Sequence, residues 1–196
     1  MAAASQRVIG SVAGLLGLTG LRRGSRHERA GFALYNTAVA AAREVWLYES
    51  LGVPDTLDGR FDLIALHAFL LIHRLRACPD DGPALAQAVF DAMFSDMDVN
   101  LRELGVSDLS VGKRVRAMWE AFHGRANAYA AAMQAADGDA LESALARNVW
   151  RGTPPPGAAA SLARLVRAQA AYLAGQNAAA LASGQARFLP AAEAAR

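Results

Sequence analysis

Few side chains here could do chemistry, and their spacing narrows what chemistry that would be. The 196 residues carry four histidines, one cysteine and 18 acids. Glu120 and His123 form an E-x-x-H step. Two such steps, with a Glu from each of two further helices, hold a carboxylate-bridged metal pair inside a helical bundle. A second step is missing, because Ile64 and Leu70 stand three residues before His67 and His73. Asp91, Asp96 and Asp98 lie on an expected helix and lack the spacing of a calcium loop. No H-E-x-x-H, C-x-x-C, phosphate-binding or G-x-S-x-G pattern occurs. Cys78 is alone beside Pro79, so it builds no disulfide framework and reads as a small apolar residue near a helix end. These spacings argue for no catalytic centre, no metal and no cofactor. The enzymatic alternative is an all-α fold with a buried polar site around His67, Arg60 and Asp91. A cavity bringing His67 within reach of Asp91 or Asp98 would support it, and a packed His67 would exclude it.

The elements that must position these groups are helices. The stretch from Val89 to Arg125 reads as two of them, joined by a tight turn at Leu104–Ser110. Phe90, Phe94, Met97, Leu101 and Leu104 follow one face of a 3.6-residue period, and Val115, Met118, Phe122, Ala126, Tyr129 and Met133 follow another. Gly105 suits the left-handed residue that ends a helix. Ser107 or Ser110 suits a cap for the next. The acids Asp91, Asp96, Asp98 and Glu103 crowd the later part of the first helix, and Lys113, Arg114 and Arg116 open the second. Each set opposes its own helix dipole by about 0.3–1 kcal/mol per charge in the terminal turn. An antiparallel hairpin would set acidic end against basic end. That arrangement implies a salt-bridge network, or a bipolar surface that meets a partner.

Alanine-rich composition, few aromatic residues and no repeat or strand pattern point to an all-α, single-domain bundle of six or seven helices with antiparallel hairpins. The expected divisions are an apolar and Arg-bearing segment at 1–26, a helical domain at 27–183 and a frayed tail at 184–196. Charge is uneven: five Arg against one acid in residues 1–30, ten bases against sixteen acids in 31–150, and five Arg against one acid in 151–196. An acidic body with basic ends suits peripheral contact with an anionic surface, a membrane or nucleic acid such as that of the ribosome, although no specific nucleic-acid site is evident. Val8–Leu18 is too short to span a bilayer, which takes about 20 residues. Followed by Arg22, Arg23 and Arg26, it suits a helix lying on a membrane surface.

Helices are expected from His27 to Leu51, ended by Gly52 and Pro54, and from Phe61 to Ala77, apolar around most of its circumference and therefore central. Others are expected from the break at 78–83 to Leu104, from the turn to about Ala136, at Ala140–Trp150, and at Ala158–Ser183 after the stiff segment RGTPPPG. Gln169 interrupts the apolar stripe of the last helix.

Four ordered blocks carry a resemblance over about residues 30–150. They are GVPDTLDGRFD at 52–62, LHAFLLIHRLR at 66–76, VFDAMFSDMDVNLRELGVSDLSVGKRV at 89–115 and FHGRANAY at 122–129. The sequence resembles the ubiquinol–cytochrome c chaperone family, whose mitochondrial members help make and assemble cytochrome b of the bc1 complex. It departs from the family pattern at Ser107 and His123. Its short leader, with one Arg ahead of the apolar run, points to a bacterial member at the inner face of the membrane or in the cytoplasm. The resemblance implies a binding factor and no enzyme, with cytochrome b or another bc1 assembly protein as partner. The matching positions for partner binding are Asp55, Asp58, Arg60, His67, Asp91, Asp96, Asp98, Arg102, Glu103, Asp108, Lys113, Arg125 and Tyr129. Phe90 and Phe94 match as well but belong mainly to the core. Gly59, Gly112 and Gly124 match at points expected to allow close backbone approach. An apolar client segment needs a groove between helices, rimmed by charge.

Overall fold

In the computed structural model the apolar periodicities become helices and no strand forms among the described residues. The structure describes residues 10–135 and 138–196, with side chains from Arg26 onward. The membrane-surface reading of Val8–Leu18, Arg22 and Arg23 lies outside the described side chains. The helices are α1 (Gly10–Ala42), α2 (Val45–Glu49), α3 (Leu57–Arg76), α4 (Gly82–Glu103), α5 (Asp108–Gln134), α6 (Asp139–Val149), α7 (Ala158–Ala174), α8 (Ala178–Ala182) and α9 (Ala191–Ala194).

The central helix is α3. It buries Phe61, Leu63, Ile64, Leu66, Phe69, Leu70, Leu71, Ile72 and Leu75 on all sides, and it meets α1, α4, α5, α6 and α7. Each such side chain contributes about 1.5–3 kcal/mol when fully buried. The helix starts four residues earlier than its stripe suggests, because Thr56 accepts from Gly59 N (3.2 Å) and Asp58 sits in the favourable first turn. The chain then folds back at 77–81, so α4 runs antiparallel to α3. Along α1, His27 reaches Asp81 (3.5 Å), Gly31 lies on Ala88 and Tyr35 bonds Asp96. These contacts make α1 and α4 parallel neighbours. A Cβ on Gly31 would come within 2.6 Å of the Ala88 backbone, so only glycine allows this approach.

The single helix expected at 27–51 is two. Glu44 is extended (ψ 126°) and separates α1 from α2, while Glu44 Oε2 accepts from Ala191 N at 2.7 Å. The expected helix at 158–183 also divides. Its first part ends at Gly175, and Asn177 caps a new start by accepting from Ala179 N at 2.7 Å.

The frayed tail is corrected. Gln169 is buried in α7, its Nε2 donates to Leu189 O (2.7 Å), and its Oε1 accepts from Leu189 N (2.9 Å). Arg164 Nε donates to Ala195 O at 2.9 Å, and Ala191, Ala194 and Ala195 are buried. Gln169, which interrupts the α7 stripe, is the anchor of the tail.

Candidate partner-binding surface

The turn between α4 and α5 has the expected form at Gly105, whose φ is +81° with open space around it. Its ion pairs differ from expectation. Arg102, in the last turn of α4, holds Asp98 through Nε (2.6 Å) and reaches over the turn to Asp108. Those carboxylates raise the Arg102 pKa. Arg116 pairs with Glu120 one turn along α5 (3.1 Å), and Asp91 accepts from Gln87 (2.7 Å). No acid of α4 from Asp91 to Asp98 meets Lys113, Arg114 or Arg116 among the described residues. The expected face-to-face network is therefore absent. The two helices meet through the rings of Phe90, Phe94 and Phe122, and Leu101 and Val111 are both buried near the turn. That leaves the bases of α5 on its solvent side. Exposed pairs of this kind contribute about 0–1 kcal/mol each. Nor does a serine cap α5: Ser107 occupies the cap position, but its hydroxyl donates to Ser110 Oγ instead (3.1 Å).

Several apolar expectations shift as well. Leu104 is exposed, and Phe90 and Phe94 are half-buried at 4.7 Å from each other. α5 buries only Val111, Phe122, Tyr129 and Ala132. Close approach holds at Gly59, where a Cβ would lie 2.0 Å from Pro54 O. It fails at Gly112 and Gly124, which face open space.

The structure separates the remaining candidates. Asp55 and Arg60 pair at 2.5 Å, and the guanidinium holds the Asp55 carboxyl below the usual range. They line a cleft of about 910 Å³ with Arg43, Tyr48, Glu49 and apolar Val45, Val53 and Ile64. Asp91 borders a different cleft of about 560 Å³ between α1 and α4, with His27, Glu28 and Phe32. Asp58 opens on a third, of about 380 Å³, beside Trp150 and Arg151. Glu103, Asp108 and Lys113 are exposed. Asp96 accepts from the Tyr35 hydroxyl at 2.6 Å, and burial followed by that bond pushes the Tyr35 pKa up.

His67 lines none of these clefts. It is 1% exposed, its Nδ1–H donates to Leu63 O (2.8 Å), and its ring stands edge-on to Phe188 at 5.3 Å. Burial lowers its pKa to about 4, which keeps the ring neutral. The polar site imagined around His67, Arg60 and Asp91 does not assemble. Glu120 and His123 do not converge on a common point either, since His123 stacks on Trp119 at 3.9 Å. No group of three metal-ligating side chains exists among the described residues.

Sequence reasoning missed one junction. Asp62 is 1% exposed on α3 and holds both Arg125 of α5 (2.8 Å) and Arg151 of the loop after α6 (2.7 Å). Arg125 also lies 5.5 Å from the centre of the Phe61 ring. Burial raises the Asp62 pKa, and the two guanidiniums oppose that rise. Arg125 thus serves the fold, and so does Tyr129, which packs on Phe69 at 5.7 Å and whose pKa is raised by burial. The readable signal was a lone acid between Phe61 and Leu63 on a helix apolar all round, because a charge there must be paired.

Among the described residues no helix is long and apolar enough to cross a membrane. Compared with known families, residues 49–188 match the family described as ubiquinol-cytochrome C chaperone. Among solved structures, the chain is similar to the crystal structure of the Cbp3 homolog from Brucella abortus. The two are 36% identical, with a TM-score of 0.78 over 91% of this chain and 98% of that one. A comparison with curated proteins returns no match.

Proposed function

This chain belongs to the ubiquinol–cytochrome c chaperone family, and on that premise we propose that it is a non-catalytic assembly factor. It holds newly made cytochrome b, or a partner factor, while the bc1 complex is built. The observation that carries this reading is the cleft where α1 and α2 end and α3 begins. Val45, Val53 and Ile64 give it an apolar lining, and Arg43, Glu49, Asp55 and Arg60 rim it. An apolar segment of a membrane protein needs such a groove, with charges at the edge to fix its register. Val45 is 61% exposed, an apolar side chain that the fold leaves open on the cleft wall. The matched region, 49–188, takes in all of α3 and most of the cleft wall. On this reading the chain works at the inner face of the membrane.

Capture of cytochrome b from solubilised membranes by the tagged full-length chain tests the reading. Val45→Glu sets a charge into the cleft at an exposed position, so the melt stays within about 0.5 kcal/mol of the parent. Capture should fall at least tenfold. Undiminished capture by Val45→Glu removes the cleft as the client seat.

A further inference from the structure

One wall of the Val45–Arg60 cleft hangs on a joint. Arg43, Val45, Tyr48 and Glu49 line it from α2 and the break before α2. With five residues, α2 is too short to persist as a helix on its own. Leu47 is its buried residue, and Tyr48 ties it back to α1 by donating its hydroxyl proton to Ala42 O at 2.9 Å.

Glu44 sits at the joint itself. It occupies the position from which a side chain would cap α2, yet its carboxylate makes no bond to that helix. Oε2 accepts instead from Ala191 N at 2.7 Å, 147 residues along the chain. Ala191 opens α9, so its N–H has no acceptor within α9. Helix α9 packs against α2. Glu44 does not line the cleft. Its carboxylate therefore serves the position of the wall.

The segment that brings Ala191 here is held by side chains. Residues 185–190 form no helix. Gln176, just past α7, donates to Arg187 O (2.6 Å) and accepts from Arg187 N (3.0 Å). Gln169 holds both backbone groups of Leu189 in the same way. Between them Phe188 lies against His67. None of these four residues lines the cleft. A chain end held in this manner opens more readily than a core helix.

We propose that this C-terminal strap, residues 185–196, governs the cleft through Glu44. Docked, the strap fixes the break between α1 and α2 and holds Arg43, Val45 and Tyr48 in the wall. Undocked, it leaves α2 to its own contacts and the wall loosens. Glu44 is thus a positioning residue, and whatever displaces the strap opens the cleft from a distance. The proposal rests on the reading of the cleft as the client seat and adds its control.

The test is hydrogen exchange of the full-length chain without client, read by mass spectrometry over residues 46–53. There Ser50 N donates to Trp46 O and Val53 N to Leu47 O. Glu44→Ala should speed exchange in this stretch about tenfold, as expected for loss of a hydrogen bond to a charged group, with α3 unchanged. Gln169→Leu should do the same from outside the cleft. Gln176→Ala, at a half-buried anchor, should give a smaller rise and replaces Gln169→Leu if that variant does not fold. Glu44→Gln keeps an acceptor oxygen and should match the parent. Client capture should fall about threefold in Glu44→Ala and be retained in Glu44→Gln. A strap that only adds stability leaves exchange over 46–53 at the parental rate in the α7-side variants, and that result overturns the proposal. Undiminished capture by Glu44→Ala with fast exchange over 46–53 also overturns it. The exchange readout contains no client, so a parent that captures no cytochrome b removes the client reading and leaves the coupling of strap and α2 standing.

Discussion

At the scale of single residues, the buried polar groups explain more of this molecule than the exposed ones. His67 remains neutral in the fold, with its pKa near 4, whereas an unfolded histidine titrates near 6.5. Protons therefore bind the unfolded chain first as pH falls. Stability at neutral pH is unaffected, declines from about pH 6.5 towards pH 4, and levels off below, for a total of about 3 kcal/mol. Chemical denaturation of the parent and His67→Gln at pH 7 and pH 4.5 should show the smaller pH loss in the variant. Asp62 acts through its pairs. Asp62→Leu strands the Arg125 guanidinium, 16% exposed, and should cost about 3 kcal/mol. Adding Arg125→Met should recover part of that loss in a urea titration, because the stranded charge is then gone. Asp62 was legible in principle as a lone acid on an apolar helix. Its partners were not, because Arg125 and Arg151 are 63 and 89 residues away and only the packing of α5 and α6 brings them in.

At the scale of elements, the sequence shows where helices stop better than how they meet. The break at Pro79, the turn at Gly105 and the all-round apolar surface of α3 follow from residue type and spacing. The pairing of acids and bases between α4 and α5 did not follow, because it depends on the rotation of α5 about its own axis. That rotation is set by Phe90 and Phe94 against Phe122, and it turns Lys113 and Arg114 to solvent. The tail was equally hidden. An alanine-rich end has no period to read, and its order comes from Gln169 on α7 and Glu44 in the break between α1 and α2, which bond its backbone. Gln169→Leu leaves the Leu189 N–H and C=O without their partners, at about 1–3 kcal/mol. Hydrogen exchange across residues 185–196 should accelerate in that variant while α3 keeps its protection.

At the scale of the whole molecule, the body is an all-helical scaffold built around α3. Where α1 and α2 end and α3 begins, it leaves open the cleft of Val45, Asp55 and Arg60. Family membership supplies the process, and in the proposed reading this cleft seats a segment of a membrane protein. The measurement that bears most directly on that claim is the reduced-minus-oxidised haem spectrum of membranes from a strain deleted for this gene. The account predicts a depleted b-type signal that returns when the parent chain is restored, but not when Val45→Glu is supplied as a stable, soluble protein. A normal b-type signal in the deletion strain would contradict it.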